Sequence, residues 1–156
     1  MPRTHIFARS IEIAAGAQEL YEFHLDTRNA PLISPPGARF LSIEGDFPVE
    51  QDGRVTLKVR QAPIPFAQTW VVRIDELQPG RLVVDVAERS PFAAWRHEHR
   101  FAPLGERRTL MTDHIAYRLP GGPLGRLANR LFARRQLEHM FEVRHARTKA
   151  HFEGSQ

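Results

Sequence analysis

The chain has 156 residues, 42% of them hydrophobic and 26% charged, with a net charge of +4, which suits one globular domain. It has no cysteine, which excludes disulfides and thiolate chemistry, and no apolar run approaches the roughly 20 residues that a membrane-spanning helix needs. Because the N-terminus also lacks the apolar core of a signal peptide, we expect a cytoplasmic protein without a membrane span.

The N-terminal part of the chain predicts a strand, a helix and a loop. The stretch "THIFARSIEIAA" alternates and is rich in β-branched and aromatic residues, which predicts a strand over residues 4–13. In "GAQELYEFHLDT", Leu20, Phe23 and His24 lie at helical spacing, which predicts a helix over residues 16–25. The prolines of "APLISPPGARF" then predict a loop with at most one short helical turn.

The middle of the chain consists of short β-type runs separated by turn signals. The runs cover residues 39–47, 54–61, 68–77, 81–89, 93–101 and 109–119. The breaks between them include "PIPF", the Pro79-Gly80 pair and "PLGERRT". Regular spacing with turn chemistry between runs predicts an antiparallel meander, giving six or seven strands with the first one.

The C-terminal part predicts one long helix, with Pro123 near its start, where proline is tolerated. Two apolar stripes run along it. One comprises Leu124, Leu127 and Leu131, and the other comprises Leu137, Phe141, His145, Thr148 and Phe152. Because the stripes are offset around the helix, we expect either a bend near residues 132–136 or different surroundings at the two ends.

These elements predict an α+β fold in a single domain over residues 1–156. A strongly curved antiparallel sheet wrapped around the long helix would bury one face of each. Such an arrangement leaves a gap between sheet and helix, and gaps of this kind are common small-molecule sites.

The run "SPFAAWRHEHRFAP" carries two histidines at a spacing of two residues. Strand alternation places Trp95, His97, His99 and Phe101 on one face, and the aromatic ends indicate that this face points inward. The opposite face would carry Arg96, Glu98 and Arg100, an alternation typical of solvent-exposed cross-strand ion pairs.

A carboxylate on the next strand is a candidate partner for these histidines. Asp113 shares a face with Met111, Ile115 and Tyr117, so it should point inward, and the preceding strand offers Leu82, Val84, Val86 and Glu88 on one face. An aspartate that accepts from one imidazole nitrogen leaves the other free to act on a ligand. A metal would need a third ligand from Asp113 or Glu88, so we expect no metal centre and no cofactor, while acid/base chemistry stays open.

Three stretches resemble the SRPBCC superfamily of START-like and pollen-allergen-like proteins, and within it a bacterial ligand-binding branch. They are "RSIEIAAGAQELYEFHLDTRN", "SPFAAWRHEHRF" and "TLMTDHIAYRLPGGPLGRLANRLFARRQLEHMFEVR". Gly16 departs from the proline that the family often has after its first strand. The resemblance implies a helix-grip fold around an elongated cavity. Members bind lipids, sterols or polyketides, and some, the polyketide cyclase/dehydrases, catalyse cyclisation or dehydration without a shared catalytic motif.

The first functional hypothesis is therefore a protein that binds a hydrophobic small molecule, such as a lipid or polyketide. The apolar lining would comprise Trp70, Trp95, Phe101, Tyr117, Leu137 and Phe141. The polar end of the cavity would comprise His97, His99 and Asp113. The second hypothesis is a cyclase/dehydratase-type enzyme in which His97 or His99 acts as acid/base with Asp113.

A third hypothesis is an interaction protein that uses its C-terminal helix. Residues 121–156 hold seven basic and three acidic side chains, so this segment accounts for the whole net charge. Because few aromatic residues stand among its arginines, we expect no nucleic-acid partner. The sequence leaves open whether the protein is a monomer or a homodimer.

Overall fold

The computed structural model describes residues 3–62 and 64–154. Pro63, in the predicted "PIPF" break, and both ends of the predicted 1–156 domain lie outside these residues. The N-terminal elements are β1 (His5–Ile13), α1 (Ala17–Leu25), a 3-10 turn (Thr27–Asn29) and α2 (Ala30–Ile33). The strands that follow are β2 (Ala38–Gly45), β3 (Arg54–Gln61), β4 (Gln68–Gln78), β5 (Leu82–Arg89), β6 (Ala94–Gly105) and β7 (Arg108–Arg118). The C-terminal elements are α3 (Gly122–Ala128), a π-helical turn (Asn129–Ala133) and α4 (Arg134–Glu153).

The seven strands form one antiparallel sheet in the order β1-β7-β6-β5-β4-β3-β2. Strands β2 to β7 pair with their sequence neighbours, as expected for a meander, and β1 joins through β7. This confirms the predicted α+β helix-grip fold, with short helices after the first strand and a long C-terminal helix. The sheet has seven strands, the larger of the two predicted numbers.

Strand β6 extends beyond its predicted end at residue 101. It continues to Gly105, so the turn that was predicted over "PLGERRT" shrinks to Glu106 and Arg107. The register of the β6–β7 pair shifts between Pro103 and Gly105. A proline, which has no N–H group to donate, is tolerated in a strand at such an irregularity, and this explains why Pro103 does not end β6.

The C-terminal helix contacts different surroundings at its two ends, which is one of the two predicted alternatives. Leu137, Phe141, His145 and Thr148 on α4 are buried, whereas Leu124, Leu127, Leu131 and Phe132 are exposed. The π-helical turn lies between these two groups. A π-helical turn inserts one residue into a helix, so the face that points at the sheet changes across it.

Two apolar clusters lie between the sheet and the helices. The first includes Ile13, Leu20, Val55, Ile74, Phe101 and Met111, and the second includes Phe7, Trp95, Ile115, Tyr117, Leu137 and Phe141. On β6, His97 and His99 stand between Trp95 of the second cluster and Phe101 of the first. Buried polar groups therefore stand between the two clusters along β6, while Trp70 and Ala87 contact both clusters. No helix in the described part of the chain is long and apolar enough to cross a bilayer.

Candidate functional site

Adjacent strands β6 and β7 place His97, His99 and Asp113 on the inner face of the sheet. Their exposed fractions are 4%, 6% and 4%, which confirms the predicted inward orientation. Nε2 of His97 donates to Oδ1 of Asp113 at 2.6 Å. His99 lies directly opposite Asp113 in the strand register, and its Nδ1 is 3.2 Å from the same oxygen.

A third histidine, from α4, completes the surroundings of Asp113. Nε2 of His145 donates to Oδ2 of Asp113 at 2.5 Å, so both carboxylate oxygens accept hydrogen bonds. The sequence placed His145 on the buried stripe of the helix but gave it no role. Its position four residues after Phe141 on that stripe was the signal that could have identified it.

Asp85 on β5 is the second carboxylate of the site, and sequence reasoning missed it. The sequence offered Glu88 as the candidate carboxylate on this strand, and the structure does not place Glu88 in the cluster. Asp85 pairs with His97 in register and its Oδ2 accepts from Nε2 of His99 at 3.0 Å, whereas Glu88 bonds Arg54 away from the cluster. Both faces of β5 carry aliphatic residues, and Val83 and Val84 are both buried, so alternation could not identify the inner face.

The outer face of β6 carries charges as predicted, but their pairing differs. Glu98 contacts Arg96, with an Nη1–Oε1 distance of 3.2 Å, and also Arg100. These pairs run along one strand rather than across strands, because residues two apart on β6 point to the same side. Both arginines are well exposed, so the pairs contribute little to stability.

The buried cluster contains opposite charges that shift one another's pKa values. Burial would raise the pKa of Asp113, but hydrogen bonds from His145 and His97 hold it well below its ordinary value. Burial also opposes the ionisation of Asp85, whose pKa is nevertheless lowered by its contact with His99. Burial would lower the pKa of His99, but Asp113 and Asp85 outweigh it and raise the pKa to about 9. Burial and the charge on His99 lower the pKa of His97.

Two further basic side chains approach the cluster from the helices. Burial and the neighbouring His99 lower the pKa of His24 to about 3, so this imidazole is neutral, and its Nδ1 donates to the Leu20 carbonyl at 2.8 Å. Arg144 of α4 lies over the Phe141 ring, 5.3 Å from its centroid. Burial lowers the pKa of Arg144, and Asp113 and Asp85 oppose this effect. Neither residue was assigned to the site from the sequence.

A cavity of about 370 Å³ lies between the sheet and α4. Among the predicted binding residues, those that line it are Trp70, Trp95, His97, His99, Leu137 and Phe141. Three others lie elsewhere. Phe101 packs against Tyr21 in the first apolar cluster, Tyr117 donates to Asn129, and Asp113 lies behind the histidines. The polar part of the lining includes His24, Asp85 and Arg144 in addition to the two predicted histidines.

Comparisons with known proteins give a family match and several similar folds. A family model described as polyketide cyclase/dehydrase and lipid transport matches residues 4–153. The fold is similar to the Zhui aromatase/cyclase from Streptomyces sp. R1128, with a TM-score of 0.67, 18% identity and coverage of 95% of this chain and 96% of that one. It is also similar to a START superfamily protein from Mycobacterium smegmatis, with a TM-score of 0.67, 19% identity and coverage of 97% of this chain and 99% of that one. A third similar fold is that of truncated norcoclaurine synthase from Thalictrum flavum, with a TM-score of 0.68, 14% identity and coverage of 92% of each chain.

These identities are low enough that the structural similarities show a shared fold and no more. The curated proteins gave no significant match to the sequence. The family match, by contrast, spans nearly the whole chain and agrees with the SRPBCC resemblance seen in the sequence.

Proposed function

Because the chain belongs to the polyketide cyclase/dehydrase and lipid transport family, we propose that it binds a neutral, oxygen-bearing hydrophobic small molecule, such as a polyketide. The observation that carries this proposal is the lining of the cavity. Apolar walls from the sheet and α4 meet one group of charged and polar side chains. Pockets that combine an apolar surface with a few convergent polar groups are typical small-molecule sites.

The apolar walls favour a flat or ring-containing molecule. Leu57 and Trp70 line the cavity from the sheet, and Leu137 and Phe141 line it from α4. The rings of Trp70 and Trp95 meet edge to face with centroids 5.2 Å apart. Aromatic walls of this kind stack well on other rings, and each Å² of apolar ligand surface buried contributes about 25 cal/mol.

The polar group favours a neutral ligand over a charged one. Asp85 on the cavity wall and Asp113 behind it are balanced by the His99 imidazolium and the Arg144 guanidinium. An ionic ligand therefore gains little net attraction and still loses its hydration. A carbonyl or hydroxyl group can accept from Arg144 or donate to Asp85 without that cost.

Quenching of the intrinsic tryptophan fluorescence tests this proposal, because both tryptophans of the chain line the cavity. The probes are emodin, which is a hydroxylated anthraquinone, together with anthraquinone and anthraquinone sulfonate. We expect saturable binding of one emodin per chain, with an affinity above that of either comparator. The absence of saturable quenching by emodin, or tighter binding of the sulfonate, would overturn the proposal.

Arg144→Met is expected to weaken emodin binding by about 10–100-fold, because a hydrogen bond from a charged group contributes about 1.5–3 kcal/mol. Methionine keeps much of the apolar stem, so binding of unsubstituted anthraquinone should stay within about twofold of wild type. Tryptophan quenching measures both affinities. The matched control is Arg135→Met, at an exposed position of the same helix. Equal losses for both ligands would contradict the role given to Arg144.

A cyclase/dehydratase activity is the second candidate function. The observation that favours it is that His97 lines the cavity with Asp113 on its Nε2, while its Nδ1 is 3.8 Å from Asp85, beyond hydrogen-bond distance. Both nitrogens of His99, by contrast, face a carboxylate. The arrangement at His97 orients its imidazole for proton transfer to a bound substrate. The test is incubation with a synthetic poly-β-ketone thioester, followed by mass spectrometry for loss of water. Turnover that His97→Gln abolishes without unfolding the protein supports the enzyme, and absence of turnover in wild type argues against it.

A further inference from the structure

We propose that Asp85, His97 and His99 form a binding site for a divalent transition-metal ion, such as Zn²⁺ or Fe²⁺, on the wall of the cavity. One donor atom from each residue lies within 4.8 Å of the other two. The three side chains come from paired strands, β5 and β6, and their backbone positions are fixed by the sheet. The inference is independent of the proposed ligand, because it uses the protein's own side chains.

The separations of the donor atoms suit direct coordination. Oδ2 of Asp85 lies 3.0 Å from Nε2 of His99 and 3.8 Å from Nδ1 of His97. With metal–ligand bonds of about 2.1 Å, neighbouring ligands in tetrahedral or octahedral geometry stand about 3.0–3.4 Å apart. The distance between the two histidine nitrogens is at most 4.8 Å, so a side-chain rotation at His97 would bring its Nδ1 toward both other donors. The ion would take the place of the Asp85–His99 hydrogen bond, and the proton on Nε2 of His99 would be released to solvent as the metal binds.

The surroundings of the histidines resemble the outer shell of a metal site. Oδ1 of Asp113 lies 2.6 Å from Nε2 of His97 and 3.2 Å from Nδ1 of His99, the nitrogens that face away from Asp85. Histidine ligands of metals almost always donate their second nitrogen to a carboxylate or carbonyl, which fixes the ring orientation. Here one carboxylate serves both rings, and His145 holds its other oxygen.

The ligand set and its position indicate an open site. Two histidines and one carboxylate are the ligands of catalytic zinc sites and of non-haem iron sites, both of which keep coordination positions for water or substrate. All three residues line the cavity, so the remaining positions face the space proposed for the organic ligand. The sequence offered only Asp113 and Glu88 as third ligand, and Asp85 now takes that role.

Metal binding to the untagged full-length protein tests the site. After treatment with a chelator, the protein is titrated with Zn²⁺ in competition with a chromophoric chelator, and with Co²⁺ for its visible absorption bands. We expect one Zn²⁺ per chain and Co²⁺ bands of a site with nitrogen and oxygen ligands. Asp85→Asn and His97→Ala should abolish this stoichiometric binding. Asp113→Asn should weaken it by about 10–100-fold, the usual effect of losing an outer-shell partner.

The matched control is His139→Ala, at an exposed position on α4, which should bind as wild type does. Circular dichroism establishes that each variant is folded. If His97→Ala does not fold, Zn²⁺ binding by the isosteric variant Asp85→Asn tests the site instead. Absence of stoichiometric Zn²⁺ binding, or unchanged binding by Asp85→Asn, would overturn the metal site. Emodin titration of the chelator-treated protein measures ligand binding in the absence of metal. The metal site and the proposed ligand-binding function can therefore fail independently of each other.

Discussion

Replacing Asp113 with alanine is expected to lower the free energy of unfolding by about 3–5 kcal/mol, the usual effect of removing one partner from a buried ionic cluster. Asp113 accepts hydrogen bonds from His97 and His145, and His99 lies close to the same carboxylate. Its loss leaves two buried donors without their acceptor and removes a charge that balances His99. Urea denaturation followed by circular dichroism measures the change.

Two further substitutions serve as comparisons for Asp113→Ala. Asp113→Asn keeps one acceptor oxygen, so its loss of stability should be smaller than that of alanine. Glu98→Gln removes a carboxylate from the outer face of β6, where the partner arginines are exposed, and should cost at most about 1 kcal/mol. If Asp113→Ala were no more destabilising than Glu98→Gln, the buried cluster would not hold the sheet and α4 together as described.

Leu57→Trp is expected to weaken emodin binding by about 100-fold, since a ligand that must share its space with an indole loses about 3 kcal/mol of packing. Leu57 packs against the first apolar cluster and also lines the cavity from β3, so the cavity offers space for the larger side chain. Equilibrium dialysis, read by the visible absorption of emodin, measures the affinity without using tryptophan fluorescence.

The matched control is Leu41→Trp, the same substitution at an exposed leucine of β2. It should leave both stability and emodin affinity close to those of wild type. Equal affinities for Leu57→Trp and wild type would place the binding site outside the cavity.

The sequence predicted much of the fold because each element carries a local signal. Alternation placed Trp95, His97 and His99 on the inner face of β6, and the long helix followed from its two stripes. The need to bury one face of the sheet and of the helix predicted that the sheet wraps around the helix, and the resemblance to the SRPBCC superfamily implied the same arrangement. The extent of β6 was underestimated because Pro103 resembles a strand end.

The site itself was only partly predictable, since its members are brought together by pairing and packing between distant parts of the chain. The inner face of β5 depends on its register with β6. Because β5 is apolar on both faces, alternation alone could not show that Asp85 points inward. His145 approaches Asp113 only once α4 lies across the sheet. Arg144, next to it on the helix, could not be separated from the solvent-exposed arginines by residue type alone.

The most direct measurement of the proposed function is a crystal structure of the protein with emodin. The proposal predicts one emodin molecule between the sheet and α4, with its rings beside Trp70 and Leu137 and its oxygens toward Arg144 and His99. Emodin on the protein surface only, with side chains filling the space between sheet and helix, would contradict it.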